Sequence, residues 1–281
     1  MAAIDISQVL ARKMPRGSKF IPRWAVRALG RLVHVDELND ILDSCGHLPP
    51  QEFIRAVFSR WRITYEASGL DELAVTERYL FAANHPFGGM DGMMLADLLI
   101  GRFGDARVVV NDLLMHVEPL RPLWVPVNKH GRQNAAYAHA MSEALAGDLP
   151  MLTFPAGLCS RRRHGQVADV EWRKSFVRHA EASGRTIVPV YVEGSLSNRF
   201  YRIARLREMT GMKFNAEMVL LPDEMIRQSG SHFNIRFGAP IGADELAAAG
   251  SAAEKALYVR GKMEQLAAAA ESAAACAGRG E

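Results

Sequence analysis

Apolar residues along this chain alternate between two patterns: short unbroken runs, and stretches where they return every three or four positions. The runs Tyr79-Leu80-Phe81-Ala82-Ala83 (with Val75 ahead of it), Arg107-Val108-Val109-Val110, Leu123-Trp124-Val125-Pro126-Val127, Pro150-Met151-Leu152-Thr153-Phe154, Thr186 to Val192 and His232 to Phe237 read as strands. Helical spacing predicts helices over Asp36–Cys45, from Gln51 through Trp61, over Asp112–His116, Gln133–Ala146, Trp172–Ala182 and Asn198–Met209, and from Asp244 to about Ala270. Gly46-His47-Leu48-Pro49-Pro50 separates the first two, because proline and glycine end a helix.

Strands interleaved with helices imply an α/β fold: a mixed, mostly parallel sheet flanked by helices, with functional loops at strand ends. No internal repeat is present. The expected organisation is a helical extension over residues 1–72, an α/β domain over 73–267 and an alanine-rich flexible tail over 268–281. Alanine favours helix but offers little to pack, so that tail is expected to fray.

Charge changes the picture at one end. The net charge is only +3 over 281 residues, which is no polycation and implies no nucleic-acid partner. Yet Arg12, Lys13, Arg16, Lys19, Arg23, Arg27 and Arg31 accumulate with no acidic residue among them, beside Phe20, Ile21, Trp24, Leu29, Leu32 and Val33. After Pro22, suited to a first helical turn, Trp24, Arg27, Ala28 and Arg31 follow helical spacing. A basic amphipathic segment with an interfacial tryptophan suits an anionic membrane face, where each nearby basic residue is worth about 1 kcal/mol. The same pattern also serves a solvated helix packed on the domain. No apolar run is long enough to span a bilayer, and the N-terminal stretch lacks the apolar region of a secretory signal. The three cysteines, Cys45, Cys159 and Cys276, lie far apart without metal-ligand spacing, which suits a reducing compartment and neither a disulfide framework nor a zinc site.

The densest chemistry lies in Asn84-His85-Pro86-Phe87-Gly88-Gly89-Met90-Asp91-Gly92, directly after the first long apolar run. Pro86 and the paired glycines mark a turn from strand into helix, so His85 is expected at a strand end with Asp91 returning near it. A histidine beside a carboxylate acts as a general base near neutral pH, the carboxylate fixing its tautomer and stabilising the imidazolium. A lone histidine in a turn is more often structural, and it is the company of Asp91 and the glycines that favours catalysis. Arg161, Arg162, Arg163 and His164 follow another strand, where cations bind phosphate or carboxylate or simply face solvent. Lys129, His130 and Arg132 form a second polar loop, and Glu193 a loop carboxylate. Cys159 sits in a turn beside positive charge but is read as a bystander. Ser160 lacks a nucleophile-elbow pattern, and His116 with Glu118 matches no metal motif.

The Asn84 to Gly92 stretch resembles the first signature block of the glycerolipid acyltransferases, in which a histidine and an aspartate form the catalytic base and its orienting carboxylate. Here five residues separate His85 from Asp91 where that family usually has four, which resembles a bacterial subgroup labelled hemolysin-like and related to aminolipid O-acyltransferases. Phe154-Pro155-Ala156-Gly157-Leu158-Cys159-Ser160-Arg161 resembles the third block, with Ala156 in place of its glutamate. Val188 through Asn198 resembles the fourth, and Val125-Pro126-Val127-Asn128-Lys129 holds the place of the second. The resemblance covers roughly residues 75 to 240.

It implies a single glycerolipid-acyltransferase-like α/β domain that moves a fatty acyl group from an acyl carrier protein or coenzyme A thioester to the hydroxyl of a lyso-lipid. His85 and Asp91 would be catalytic; Asn84, Gly88, Gly89, Lys129, Gly157, Leu158, Arg161, Arg162 and Glu193 would meet the substrates. Backbone amides around Gly157 and Leu158, or Gly88 and Gly89, can serve the oxyanion. No cofactor or metal is implied. The absent glutamate at Ala156 argues against glycerol 3-phosphate or a simple lysophosphatidate as acceptor, and the subgroup points to an N-acyl amino acid lipid. The expected location is cytoplasmic, peripheral to the inner membrane. A thioesterase and a non-catalytic membrane-binding module are the alternatives.

Overall fold

The computed structural model describes residues 6–7, 22–127, 135–163, 165–212 and 215–277. The chain divides into two compact units, one of Met1–Ile63 with Leu196–Ser231, the other of Thr64–Ser195 with His232–Glu281.

The second unit is built on a seven-stranded sheet. In chain order its strands are β1 (Thr64–Ser68), β2 (Tyr79–Ala83), β3 (Arg107–Asn111), β4 (Trp124–Val127), β5 (Met151–Thr153), β8 (Thr186–Val192) and β9 (His232–Phe237), in the spatial order β1-β9-β8-β2-β5-β3-β4. Every neighbouring pair is parallel except β8 with β9, so the sheet is mixed and mostly parallel as expected. A two-stranded antiparallel hairpin, β6 (Arg161–Arg163) with β7 (Gln166–Ala168), stands apart from it. All five residues of β2 are buried because the strand is central and covered on both faces, which is why it reads as a continuous apolar run. The alternating exposure of β1, an edge strand, leaves no such run, and the sequence reading passed over it.

One face of the sheet is covered by α4 (Gly89–Phe103), where Phe103 meets Phe81 and Tyr79 edge-on or tilted. This helix is apolar nearly all round, with Met94, Leu95 and Leu99 fully enclosed, as a helix buried on several sides must be. The other face packs a core of Leu80, Met151, Trp172, Phe176, Ile187 and Val259 under α6 (Ser175–Ser183) and α10 (Ala252–Ala277), with α5 (Ala135–Ala146) beside β4. Below the sheet, Arg185 donates to the carbonyls of Tyr79 and Leu149 at 3.2 and 2.8 Å; desolvation, joined by Arg78, lowers its pKa to about 10, so it stays charged.

The predicted closing helix is two: α9 (Ala243–Ala248) and α10, which runs on to Ala277. The break is at Gly250, in the left-handed region at φ +97°, and Ser251 then restarts the helix with Glu254. The Ser251 amide donates to Glu254 at 2.7 Å and the Glu254 amide to Ser251 Oγ at 3.4 Å, a capping box. The helix expected from Trp172 starts only at Ser175, because the Trp172 indole is drawn to a carboxylate before it.

The first unit holds α1 (Arg23–Leu32), α2 (Val35–Cys45), α3 (Pro50–Arg60), α7 (Asn198–Thr210), a 3₁₀ turn (Ala216–Leu220) and α8 (Leu221–Arg227), the last two unforeseen. Phe53, Ile54, Val57 and Phe58 make the buried face that spacing predicted for α3. Asp223 on α8 gathers His34 Nε2, Arg199 Nη1 and Arg227 Nε at 2.9, 2.9 and 2.8 Å. Its pKa is held below the ordinary carboxylate value, because the bonds from Arg227 and His34 outweigh the opposing cost of burial.

Candidate active site

The site is assembled where β2 and β5 end, the edge of a parallel sheet at which loops converge. Asn84 continues β2 through its side chain: its amide nitrogen donates to the Val192 carbonyl at 2.9 Å and its oxygen accepts the Val192 N–H at 2.7 Å. That pairing to β8 sets where His85 leaves the sheet.

His85 is held on its main chain from both sides. Its N–H donates to Asp169 Oδ1 at 3.1 Å, and its carbonyl accepts the Ser160 N–H at 2.8 Å. Its ring stacks on Phe154, with centroids 4.2 Å apart and planes 28° from parallel. The side chain keeps 16% of its surface open, enough to meet a substrate from a fixed position.

Asp91 is buried completely in the first turn of α4. Its Oδ2 accepts the N–H groups of Phe87 at 2.9 Å and Gly88 at 3.0 Å and lies 3.0 Å from His85 Nδ1. His85 Nδ1 is enclosed and has no hydrogen-bond partner, so the Asp91 carboxylate is the acidic group it faces. Burial pushes the Asp91 carboxyl above its ordinary pKa, with His85 and the two amides opposing. The additional residue between His85 and Asp91 leaves the two in contact, because Gly88 takes φ +78° and lets the loop arch back.

Phe87 anchors that loop. Its buried ring meets Phe233 edge-on at 4.9 Å and lies against Gly194, where an added Cβ would come within 2.3 Å of Phe87 Cζ. Gly194, in the stretch matched to the fourth block, is therefore required by close approach as well as by its φ of +129°.

Other expected residues divide. Gly157, at φ +64°, donates its N–H to Phe154 O at 2.9 Å; Phe154 and Ser160, which both touch His85, bracket the loop that carries Gly157 and Leu158. Arg161 is buried, with Nη1 on the Cys159 carbonyl at 2.7 Å, while Arg162 is exposed on β6; the arginine run is a hairpin strand where a loop was expected. Glu193 accepts from Asn234 Nδ2 at 3.3 Å. Cys159 is fully buried, and Ala156 packs in the apolar core with Trp172 and Phe176. Lys129, with His130, Arg132 and His164, lies outside the described residues.

Asp169 is the residue that sequence reasoning missed. Besides the His85 N–H, its Oδ1 accepts Ser160 Oγ–H at 2.6 Å, and its Oδ2 accepts the Trp172 indole N–H at 2.9 Å. It stands in the connection between β7 and α6 with no motif around it; the only signal was a lone aspartate three residues before a tryptophan. Beyond Phe154 opens a cavity of about 220 Å³ lined by Leu80, Met141, Met151, Phe154, Phe176 and His179 among others. Desolvation there lowers the His179 pKa below its ordinary value.

The strand ends of this sheet thus bring a partly open histidine against an enclosed carboxylate, an arrangement suited to general acid–base chemistry. The sequence model of the acyltransferase family matches residues 8–273, and the chain belongs to that family. It is 38% identical over 240 residues to a lyso-glycine lipid O-acyltransferase of Bacteroides thetaiotaomicron, covering 85% of this chain and 88% of that protein. It is equally 38% identical over 239 residues to one of Phocaeicola vulgatus, covering 85% and 86%. The crystal structure of the 1-acyl-sn-glycerophosphate (LPA) acyltransferase PlsC from Thermotoga maritima aligns with a TM-score of 0.47 at 14% identity, over 85% of this chain and 90% of that one. The family assignment rests on the family model and the two relatives.

Proposed function

We propose that this enzyme transfers a fatty acyl group from a thioester donor, acyl carrier protein or coenzyme A, to the free hydroxyl of a lyso-lipid built on an N-acylated amino acid. The acceptor class is taken from the two lyso-glycine lipid relatives. The observation that carries the mechanism is the contact of His85 Nδ1 with a carboxylate fully enclosed and held by two backbone amides.

In the proposed step His85 Nε2 takes the hydroxyl proton as the oxygen attacks the thioester carbon. Asp91 stabilises the imidazolium through Nδ1. The carbonyl oxygen becomes an oxyanion, and because the N–H groups of Phe87, Gly88 and Gly157 are committed elsewhere, those of Gly89 and Leu158 are the donors proposed for it. Collapse of the tetrahedral intermediate breaks the C–S bond, and the leaving thiolate takes the proton back from His85. No metal or cofactor enters. Arg162 on β6, with Lys129, is assigned to the anionic part of the donor or acceptor, and Asn84 and Glu193 to the framing of the substrate path. One acyl chain enters the cavity behind Phe154 along Leu80, Met141, Met151 and Phe176, which suit methylene groups, while Arg173, Ser175 and His179 form its polar side.

No described helix is long and apolar enough to cross a membrane. The enzyme is proposed to act on the cytoplasmic face of the inner membrane, held there by its basic N-terminal segment. The test is purified protein with labelled acyl carrier protein, labelled acyl-coenzyme A and lyso-glycine lipid. Labelled diacyl product that disappears in His85→Ala supports the reading. Release of free acid with no need of acceptor would mean a thioesterase, and lipid binding without turnover a binding module.

A further inference from the structure

The helix α7 divides into an inner and an outer face. Phe200, Tyr201 and Ala204 are buried. On the opposite side stand Arg202, Arg205, Leu206 and Met209, with Arg199 and Ile203 beside them, and together these six residues line one shallow surface groove. Leu206 is 61% and Met209 75% exposed, and Met212, just past the C-terminal Gly211, is 51% exposed. Leu206 and Met209 are three positions apart, so they meet on the helix surface as a continuous apolar patch. The one acid of α7, Glu208, lies 3.6 Å from Arg207, and the carboxylate that meets the groove is Asp223, paired with Arg199 at its edge.

An outward helical face that is apolar and cationic is the reverse of an ordinary solvated face, where polar groups of both signs mix. It fits an interface with apolar depth and anionic headgroups: leucine and methionine enter the acyl boundary, and arginine stems lie along apolar surface while their guanidinium groups reach phosphate. A second element of the same unit has this character. Trp24 on α1 is 70% exposed among Arg23, Arg27 and Arg31. The two are tied to one carboxylate, since Asp223 accepts both His34, two residues past the end of α1, and Arg199 in the first turn of α7.

We propose that α7 is a membrane-docking element, laying Leu206 and Met209 into the interface of an anionic phospholipid bilayer with Arg202 and Arg205 on its phosphates. The choice of a bilayer as occupant draws on the lipid acceptor proposed above; the face itself does not depend on it.

The test is co-sedimentation of the full chain with vesicles of phosphatidylcholine, with and without phosphatidylglycerol, alongside turnover on detergent-dispersed acceptor. Leu206→Ser with Met209→Ser is expected to weaken binding to the anionic vesicles by about tenfold or more, and Arg202→Glu with Arg205→Glu to remove the preference for phosphatidylglycerol. Turnover on dispersed acceptor is expected to stay at the parent level. Vesicle binding unchanged in both variants would overturn the proposal. So would equal loss of vesicle binding and dispersed turnover, or a loss confined to binding of acidic acyl carrier protein, which would make α7 a protein-docking face. Should His85→Ala leave acyl transfer intact, the catalytic reading would fail while the vesicle result stood.

Discussion

The carboxylate of Asp169 accepts the main-chain N–H of His85 at 3.1 Å, across 84 positions of sequence. With its other contacts on Ser160 and Trp172, it registers the loop after β2 against the loop after β5. Asp169 touches no expected reacting atom, so its role is positioning. Asp169→Ala leaves three donors without an acceptor in a buried setting, at about 1–3 kcal/mol for each that finds no water. Expected outcomes are a lower denaturation midpoint and a fall in kcat with KM nearly unchanged. Asp169→Asn, which keeps one acceptor oxygen, is expected to recover part of both.

His85→Ala is expected to lower turnover by about 10²–10⁴-fold, the usual worth of a general base, with little change in thermal midpoint. Steady-state rates with a single acyl thioester check this.

Asp91 governs a pH dependence of stability. Because burial raises its folded-state pKa, the native state holds the proton more tightly than the unfolded chain. The contribution is therefore fully present below the ordinary carboxyl pKa, about 3.9, and is lost as pH rises through the raised folded-state value. Denaturant midpoints across that window are expected to fall with rising pH in the parent relative to Asp91→Asn. The same variant loses activity, because a neutral amide does not stabilise an imidazolium.

Gly194→Ala is expected to destabilise by about 1–3 kcal/mol, from overpacking and a positive φ together. The new Cβ would stand 2.3 Å from Phe87 Cζ. Combining it with Phe87→Leu is expected to restore part of the loss, the space but not the backbone conformation, as read by thermal unfolding of both variants.

Met141→Trp narrows the cavity behind Phe154, and competition among acyl donors of different lengths is expected to show a preference for shorter chains. His179 borders the same space and is held neutral by desolvation, its pKa lowered. Its contribution to stability is complete above the ordinary value of about 6.5 and is lost as pH falls through the lowered one. His179→Phe is expected to flatten stability against pH in the window between those two values.

The strands β2, β5 and β8 and the helix α3 could be read in advance because their apolar spacing is local: β2 is buried throughout, β5 and β8 mostly so, and α3 along one face. The pair His85 and Asp91 was legible for a similar reason: a turn of proline and glycines, a few residues long, constrains both. The capping box at Ser251 was equally local and went unread, which merged α9 with α10. The edge strand β1 carried no signal, since one polar alternating segment resembles another until β9 comes to lie beside it.

By itself, then, the sequence determined a mixed α/β sheet, a histidine and an aspartate brought together at a strand end, and a basic first segment, all features encoded within a few residues or one period. Only the tertiary structure decided that Asp169 holds His85, that Phe154 stacks on its ring, that Gly194 exists to admit Phe87, and that Arg161 turns inward while Leu206 and Met209 turn out. Those relations join residues distant in sequence, and it is the closing of the sheet and its covering helices that sets which side chains meet and which stay open to solvent.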